Sequence, residues 1–265
     1  MQKINFTKMV ASGNDFIVIP LSRYPVIPLK MLARQICDRK YGVGADGLLI
    51  LDKSKVVDIK MRIFNTDGSE AQMCGNGARC VALYVSKRKV KIETKAGIIV
   101  SEVSDDSVKI KLTDPKNIKL NIPIIVNNRQ LKLNFINTGV PHTVIFVEGL
   151  NKIDVVRLGR QIRYHRHFAP AGTNVDFVEP INNNSLKIRT YERGVEDETL
   201  ACGTGAVASS LIFALKTDAV NKVNVHTQGG EILKVYFYKD NTKISDVWLE
   251  GKARIVYTGQ IFIIN

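Results

Sequence analysis

Apolar and polar residues alternate along several short stretches of the chain. Val57, Ile59, Met61 and Ile63 are interleaved with Asp58, Lys60 and Arg62. A period of two sends one side of a strand into a core and the other into water. The same alternation marks residues 90–94, 108–112, 186–190 and 232–238. Turn-forming residues punctuate these stretches at Asp105-Asp106, Asp114-Pro115, Asn127-Asn128, residues 182–184 and Asp240-Asn241. Short strands joined by tight turns predict mostly antiparallel sheet.

Helical periodicity is rarer. Leu29, Leu32 and Ile36 share one helical face, and residues 150–164 carry a looser pattern. Two further helices are predicted. One begins near Gly75 and buries Ala78, Val81, Ala82 and Val85; the other begins near Gly203 and runs through Val207, Leu211 and Leu215. The second is small or apolar on nearly every side, with Ala206, Ala208, Ser209, Ser210, Ile212, Phe213 and Ala214 between those positions. A helix without a polar face is buried all round, and a curved sheet wrapped about it would achieve that. The two helices also share a preface. Cys74-Gly75-Asn76-Gly77-Ala78 reappears as Cys202-Gly203-Thr204-Gly205-Ala206, and a looser echo links residues 13–16 (GNDF) with 173–177 (TNVDF). These echoes suggest an internal duplication. The polar stretch 113–121 is the expected boundary between halves.

Length and composition narrow the class. A chain of 265 residues makes one large domain or two small ones, each half able to bury its own core. With 45% apolar and 24% charged residues, disorder is excluded as a default. The opening MQKINFTKMV has no signal-like apolar core, and no run approaches the ~18 apolar residues of a membrane helix. A soluble, cytoplasmic protein with no membrane partner is expected. The four cysteines, Cys37, Cys74, Cys80 and Cys202, are too few for a disulfide scaffold and read as thiols. They form no CxxC pair, and His142, His165, His167 and His226 complete no ligand set, so no metal is expected. The net charge of +13, from 38 Lys+Arg against 25 Asp+Glu, is spread along the chain. It reads as a solvated basic surface, with no nucleic-acid partner.

The repeated Cys-Gly-x-Gly carries the chemistry. Glycine lets the backbone turn sharply and approach a ligand. The first N–H groups of a helix lack intrahelical partners and bear partial positive charge, so a carboxylate docks there. The same field stabilises a thiolate at that position. Two such elements serving one substrate would offer a thiolate to remove an α-proton and a thiol to return a proton on the other face. That is inversion without a cofactor, with helix dipoles stabilising the carbanion. Cys37 and Cys80 lack this context and read as small buried hydrophobes. Neither Cys-Gly-x-Gly segment completes a dinucleotide fingerprint, and no phosphate loop is present.

At these residues the sequence resembles the diaminopimelate epimerase family. The matching segments are residues 13–16 (GNDF), 42–48 (GVGADGL), 64–70 (FNTDGSE), 73–80 (MCGNGARC), Pro141-His142, 172–177 (GTNVDF) and 192–205 (ERGVEDETLACGTG). The resemblance implies an α+β fold of two pseudo-symmetric lobes, each a mostly antiparallel, barrel-like sheet around a central helix. It implies a first lobe over 1–114, rejoined by 257–265, and a second over 115–256. It also implies conversion of L,L-diaminopimelate to the meso form, feeding lysine and peptidoglycan precursors, with no cofactor and no metal. By the resemblance, Cys202 takes the α-proton of the L,L substrate and Cys74 donates to the other face. Gly75, Asn76, Gly203 and Thr204 form the main-chain cradle of the reacting carboxylate. Asn14, Asn65 and Asn174 are substrate-contacting amides, and Arg193 clamps the distal carboxylate. His142 and Glu192 act beside the cysteines, where between them they set thiol protonation and bind the α-amino group, Glu192 being also a substrate-binding residue, with the division of labour left open. Tyr257 matches a dimer contact, so a homodimer is implied. Family members often carry Asn where Val140 stands and Gln where Gly47 stands, and Thr138 is a candidate to replace the lost amide. These departures keep open a racemase of another amino acid, such as histidine.

Overall fold

The computed structural model describes residues 2–21, 27–217 and 221–263. The chain divides into two units, Met1–Ile110 with Gly251–Asn265, and Lys111–Glu250. The first contains β1 (Gln2–Ala11), β2 (Asn14–Pro20), α1 (Leu29–Cys37), β3 (Gly47–Asp52), β4 (Ile59–Asn65), β5 (Glu70–Ala71), α2 (Gly75–Val85), β6 (Lys89–Thr94), β7 (Gly97–Ser104) and β8 (Ser107–Lys111). β1 and β2 form a hairpin that closes at Ala11↔Asn14. The chain crosses through α1 to lay β3 parallel to β2, with Phe16 beside Gly47. It returns antiparallel as β4, then crosses through α2 to set β6 parallel to β4. β6, β7 and β8 finish as an antiparallel meander.

β3 is buried on both faces. Leu48 and Ile50 join Leu32, Ala33 and Ile36 of α1 in one core, together with Ile17 and Ile19 of β2. Leu49 points the other way, toward Gly77 of α2. α2 in turn packs against β1, β2, β4, β6 and β7.

The second unit repeats this path. Its elements are β9 (Lys116–Val126), β10 (Arg129–Asn137), β11 (Pro141–Phe146), α3 (Val155–Arg163), β12 (Asn174–Asn182), β13 (Ser185–Glu192), β14 (Asp197–Thr199), α4 (Gly203–Lys216), β15 (Lys222–His226), β16 (Ile232–Asp240) and β17 (Lys243–Lys252). The hairpin is now β10–β11, and α3 carries the chain to parallel β12, with His142 beside Asn174. β13 returns antiparallel, and α4 carries it to parallel β15. α4 packs against β10, β11, β12, β13, β15 and β16. Every residue from Gly205 to Ala214 is buried, as the lack of a polar face requires. The last strand, β18 (Arg254–Ile263), belongs to the first unit and pairs antiparallel with β1 from Gln2↔Ile263 to Val10↔Arg254. β9 holds the matching place beside β10. Each unit is therefore a mostly antiparallel sheet with two parallel pairings, curved about one buried helix.

Three sequence expectations change. Most of the polar stretch 113–121 is strand β9, whose pairing with β10 satisfies its backbone while its side chains stay wet. The helical pattern over 150–164 divides into a single 3₁₀ turn, Leu150–Lys152, and α3, which Asp154 caps by accepting the Arg157 N–H at 3.0 Å. The echo between residues 13–16 and 173–177 is not part of the repeat. Residues 13–16 lie at the β1–β2 turn, whereas Asn174 opens a strand after a helix. By register, β12 corresponds to β3 and Asn174 to Gly47. Residues 264–265 of the returning segment 257–265 lie outside the described residues.

Candidate functional site

In the first unit, Cys74 caps α2. Its backbone is extended, with φ −142° and ψ 122°, and its Sγ accepts the Gly77 N–H at 3.5 Å. Gly75 and Asn76 occupy the first turn, where N–H groups have no carbonyl one turn back. A side chain at Gly77 would bring its Cβ to 3.1 Å from Leu49, so glycine lets the helix start press onto β3. The Asn76 amide is buried. It donates to Asn14 Oδ1 at 2.6 Å and accepts from Arg79 Nη2 at 2.5 Å. Arg79 also donates to Ser12 Oγ at 2.6 Å. Asn14 donates onward to Asp46 Oδ2 at 3.1 Å. Arg39 bridges Asp46 and Asp15, and Lys8 lies 2.6 Å from Asp15. Burial pulls the Asp15 carboxyl up, but Arg39 and Lys8 outweigh it and hold it well below the usual range. Charge pairs thus anchor both amides. Asn65 stands apart from them at an exposed turn, donating to Ser69 Oγ at 2.9 Å.

In the second unit, Cys202 caps α4 from an extended backbone, with φ −119° and ψ 111°. It is buried, and its thiol is pushed up by burial and then by the nearby Glu192 and Asp176 carboxylates. The Thr204 hydroxyl and Gly205 N–H oppose that shift. Thr204 Oγ1 lies 3.4 Å from Cys202 Sγ and 2.9 Å from His142 Nε2. His142 Nδ1 lies 2.7 Å from Asp176 Oδ2, and both residues are fully buried. The other Asp176 oxygen accepts from Thr190 Oγ1 at 2.8 Å. A Cβ at Gly205 would stand 2.5 Å from Asp176 Oδ1, so only glycine admits the carboxylate at that helix start. Glu192 ends β13 with its carboxyl raised by burial, a shift moderated by Thr199 and His142. Asn174 ties the start of β11 to the segment after β13, donating to the Pro141 carbonyl at 3.0 Å and accepting the Arg193 N–H at 2.8 Å. Arg193 itself donates to the Ala171 carbonyl at 3.2 Å, and among the described residues no carboxylate pairs with it.

The sequence readings divide accordingly. The second unit brings His142, Thr204 and Cys202 into one hydrogen-bonded run, with Glu192 close enough to shift the thiol, and ties Asn174 to Arg193. The first joins Asn14 to Asn76 and leaves Asn65 outside. Thr138 is already engaged, its hydroxyl donating to the Thr204 carbonyl at 3.2 Å. At Gly47 a Cβ would stand 3.1 Å from the Phe64 carbonyl and 3.4 Å from the Phe16 ring, so a side chain there would need that carbonyl to give by a few tenths of an ångström. Cys37 and Cys80 are buried thiols, each pushed up to about 12 by burial. Asp176 and Thr190 were not singled out by sequence. The available signal was an acid inside the apolar run Val175-Asp176-Phe177-Val178. Among the described residues no group of three or more His, Cys, Asp or Glu is arranged to hold a metal, and no helix is long and apolar enough to cross a membrane.

Solved structures share this architecture. A phenazine biosynthesis protein of the PhzF family from Bacillus anthracis matches with a TM-score of 0.72 at 18% identity, over 99% of this chain and 100% of that one. A hydroxyproline epimerase from Agrobacterium vitis matches with a TM-score of 0.69 at 16% identity, over 98% of this chain and 91% of that one. At such identities the likeness concerns the fold. Sequence relatives go further. A protein of Aquifex aeolicus named diaminopimelate epimerase is 41% identical over 97% of this chain and 98% of its own length. One of the same name from Methanocella arvoryzae is 43% identical over 98% of each. The family model described as diaminopimelate epimerase matches residues 6–118 and 134–256. Agreement at this identity, sustained from end to end, means that the chain belongs to the diaminopimelate epimerase family.

Proposed function

We propose that the chain interconverts L,L- and meso-diaminopimelate by moving one α-proton between two sulfurs. Cys202 acts as the base toward the L,L substrate and Cys74 as the acid on the opposite face; the reverse reaction exchanges their roles. The observation that carries this reading is the paired placement of Cys74 and Cys202 as caps of the two buried helices. Main-chain N–H groups of Gly75, Asn76, Gly203 and Thr204 receive the reacting carboxylate, where the helix dipoles also offset carbanion charge. Asn14, Asn65 and Asn174 contact the substrate, and Glu192 takes its amino group. Arg193 holds the distal carboxylate. Its freedom from any described acidic partner supports that role, and Asn174 orients its backbone. The reaction needs neither cofactor nor metal. It supplies precursors of lysine and peptidoglycan in the cytoplasm, and the enzyme is a homodimer that uses the Tyr257 surface.

The test follows α-hydrogen exchange in D₂O with L,L-diaminopimelate beside a panel of L-amino acids that includes histidine. The wild type incorporates deuterium into diaminopimelate alone. Cys74→Ala and Cys202→Ala each lose epimerisation by at least about 100-fold while keeping their circular dichroism. Full activity in either variant, or exchange confined to another amino acid, overturns the reading.

A further inference from the structure

We propose that Cys202 is served by a proton relay through Thr204 to His142, and that Asp176 is the positioning residue that sets its direction. The inference rests on the reading above of Cys202 as the base. Its geometry is a continuous line from Cys202 Sγ to Thr204 Oγ1 at 3.4 Å, from that hydroxyl to His142 Nε2 at 2.9 Å, and from His142 Nδ1 to Asp176 Oδ2 at 2.7 Å. A carboxylate only accepts, so the imidazole proton sits on Nδ1. Nε2 then presents a lone pair, and Thr204 must donate to it. A hydroxyl has one proton, so the Cys202 S–H donates to Thr204 in turn. Every donor in the line points from the sulfur toward the carboxylate.

The step that follows moves one proton's worth of charge. The Cys202 S–H bond breaks as its proton binds Thr204 Oγ1. The hydroxyl's own proton leaves for His142 Nε2. The products are a thiolate and an imidazolium, the latter against Asp176. No oxidant, reductant or further reactant enters. Cys202 sits where burial and two carboxylates oppose ionisation, and the relay gives it a base without admitting water.

The repeat shows that the fold does not demand this arrangement. The pairs Phe16↔Gly47 and Leu49↔Ile63 of the first unit match His142↔Asn174 and Asp176↔Thr190 of the second. Phe16, Leu49 and Ile63 therefore stand where the second unit has His142, Asp176 and Thr190. The helix starts agree: a Cβ at Gly77 would meet Leu49, and one at Gly205 would meet Asp176. One scaffold packs the same positions with hydrocarbon in one unit and with a connected polar cluster in the other. Buried polar clusters are costly unless fully satisfied, so the second unit's choice marks a role at Cys202 alone.

The experiment uses the full-length protein with ¹⁵N-labelled histidine. The His142 resonances are identified by their loss in His142→Gln. The wild type is expected to show the Nδ1–H tautomer. In Asp176→Asn the Thr190 hydroxyl keeps the amide oxygen, so the amide nitrogen faces Nδ1 and the tautomer moves to Nε2–H. That variant is expected to lose about 100-fold or more in kcat with little change in KM. Thr204→Val loses as much, and Thr204→Ser restores activity to within a few-fold of wild type. An Nε2–H tautomer in the wild type, an undiminished kcat in Asp176→Asn, or equal activity of the Val and Ser variants overturns the relay. Should Asp176→Asn not fold, the Thr204 pair and the wild-type tautomer decide. If the wild type exchanges no diaminopimelate, the substrate reading falls, and the tautomer with its dependence on Asp176 still decides the relay.

Discussion

Glu70 receives three cationic contacts. Arg62 binds it in a fork, with Nε at 2.8 Å and Nη2 at 3.1 Å, and Lys95 lies 2.7 Å away. The Arg62 bonds, with help from Lys95 and against burial, lower its carboxyl from 4.5 to about 2. A depressed acid stabilises the fold above its ordinary value and loses that contribution as pH falls toward the depressed one. Glu70→Gln should therefore be less stable than wild type at pH 7, and the gap should close between about pH 4.5 and 2. Urea titrations at pH 7, 4.5 and 3 measure it, and a gap independent of pH would count against the fork. Legibility among residues follows chemistry. Cys74 and Cys202 could be read because a short motif repeats around them. Asp176 stands out only as an acid in an apolar run, because its partners His142 and Gly205 are distant in sequence. Asn65 shows the opposite case, a motif amide at the exposed end of β4 whose local bond to Ser69 gives no sign of the substrate contact proposed for it.

Among the elements, α4 was the most legible, since a helix with no polar face has one environment open to it. β3 shows no alternation in the sequence because both its faces are buried, which erases the period of two. β9 looks like a linker in the sequence because most of its side chains are exposed. α3 supplies a prediction at this scale. A Cβ on Gly159 would lie 2.5 Å from Tyr191 Cβ, so the helix rests on β13 through the missing side chain. Helix propensity favours alanine there by about 1 kcal/mol, but the overlap costs about 1–3 kcal/mol. Gly159→Ala should lower stability to urea, and a gain would show that α3 can shift without penalty.

For the whole molecule, duplication could be inferred from the repeated motif, whereas the return of residues 257–265 to the first half came only with the family resemblance. No local pattern says that β18 must pair with β1. Its surface gives the dimer reading a physical basis: Ile255, Val256, Tyr257 and Phe262 are all exposed, and the Tyr257 ring meets Phe6 edge-on at 5.9 Å. Several large apolar groups on one strand invite a covering partner. Sedimentation of wild type and Tyr257→Asp tests it: the wild type should run as a dimer and the variant shift toward monomer, and equal masses would count against this surface as a dimer contact. The β1–β18 pairing also orders events at the ribosome. The second unit is one continuous segment and can settle as soon as it emerges. The first holds β1 and must wait, with one edge uncovered, until β18 is made. During synthesis, then, the older half of the polypeptide is the later to mature, and a chaperone guarding this protein would find its client there.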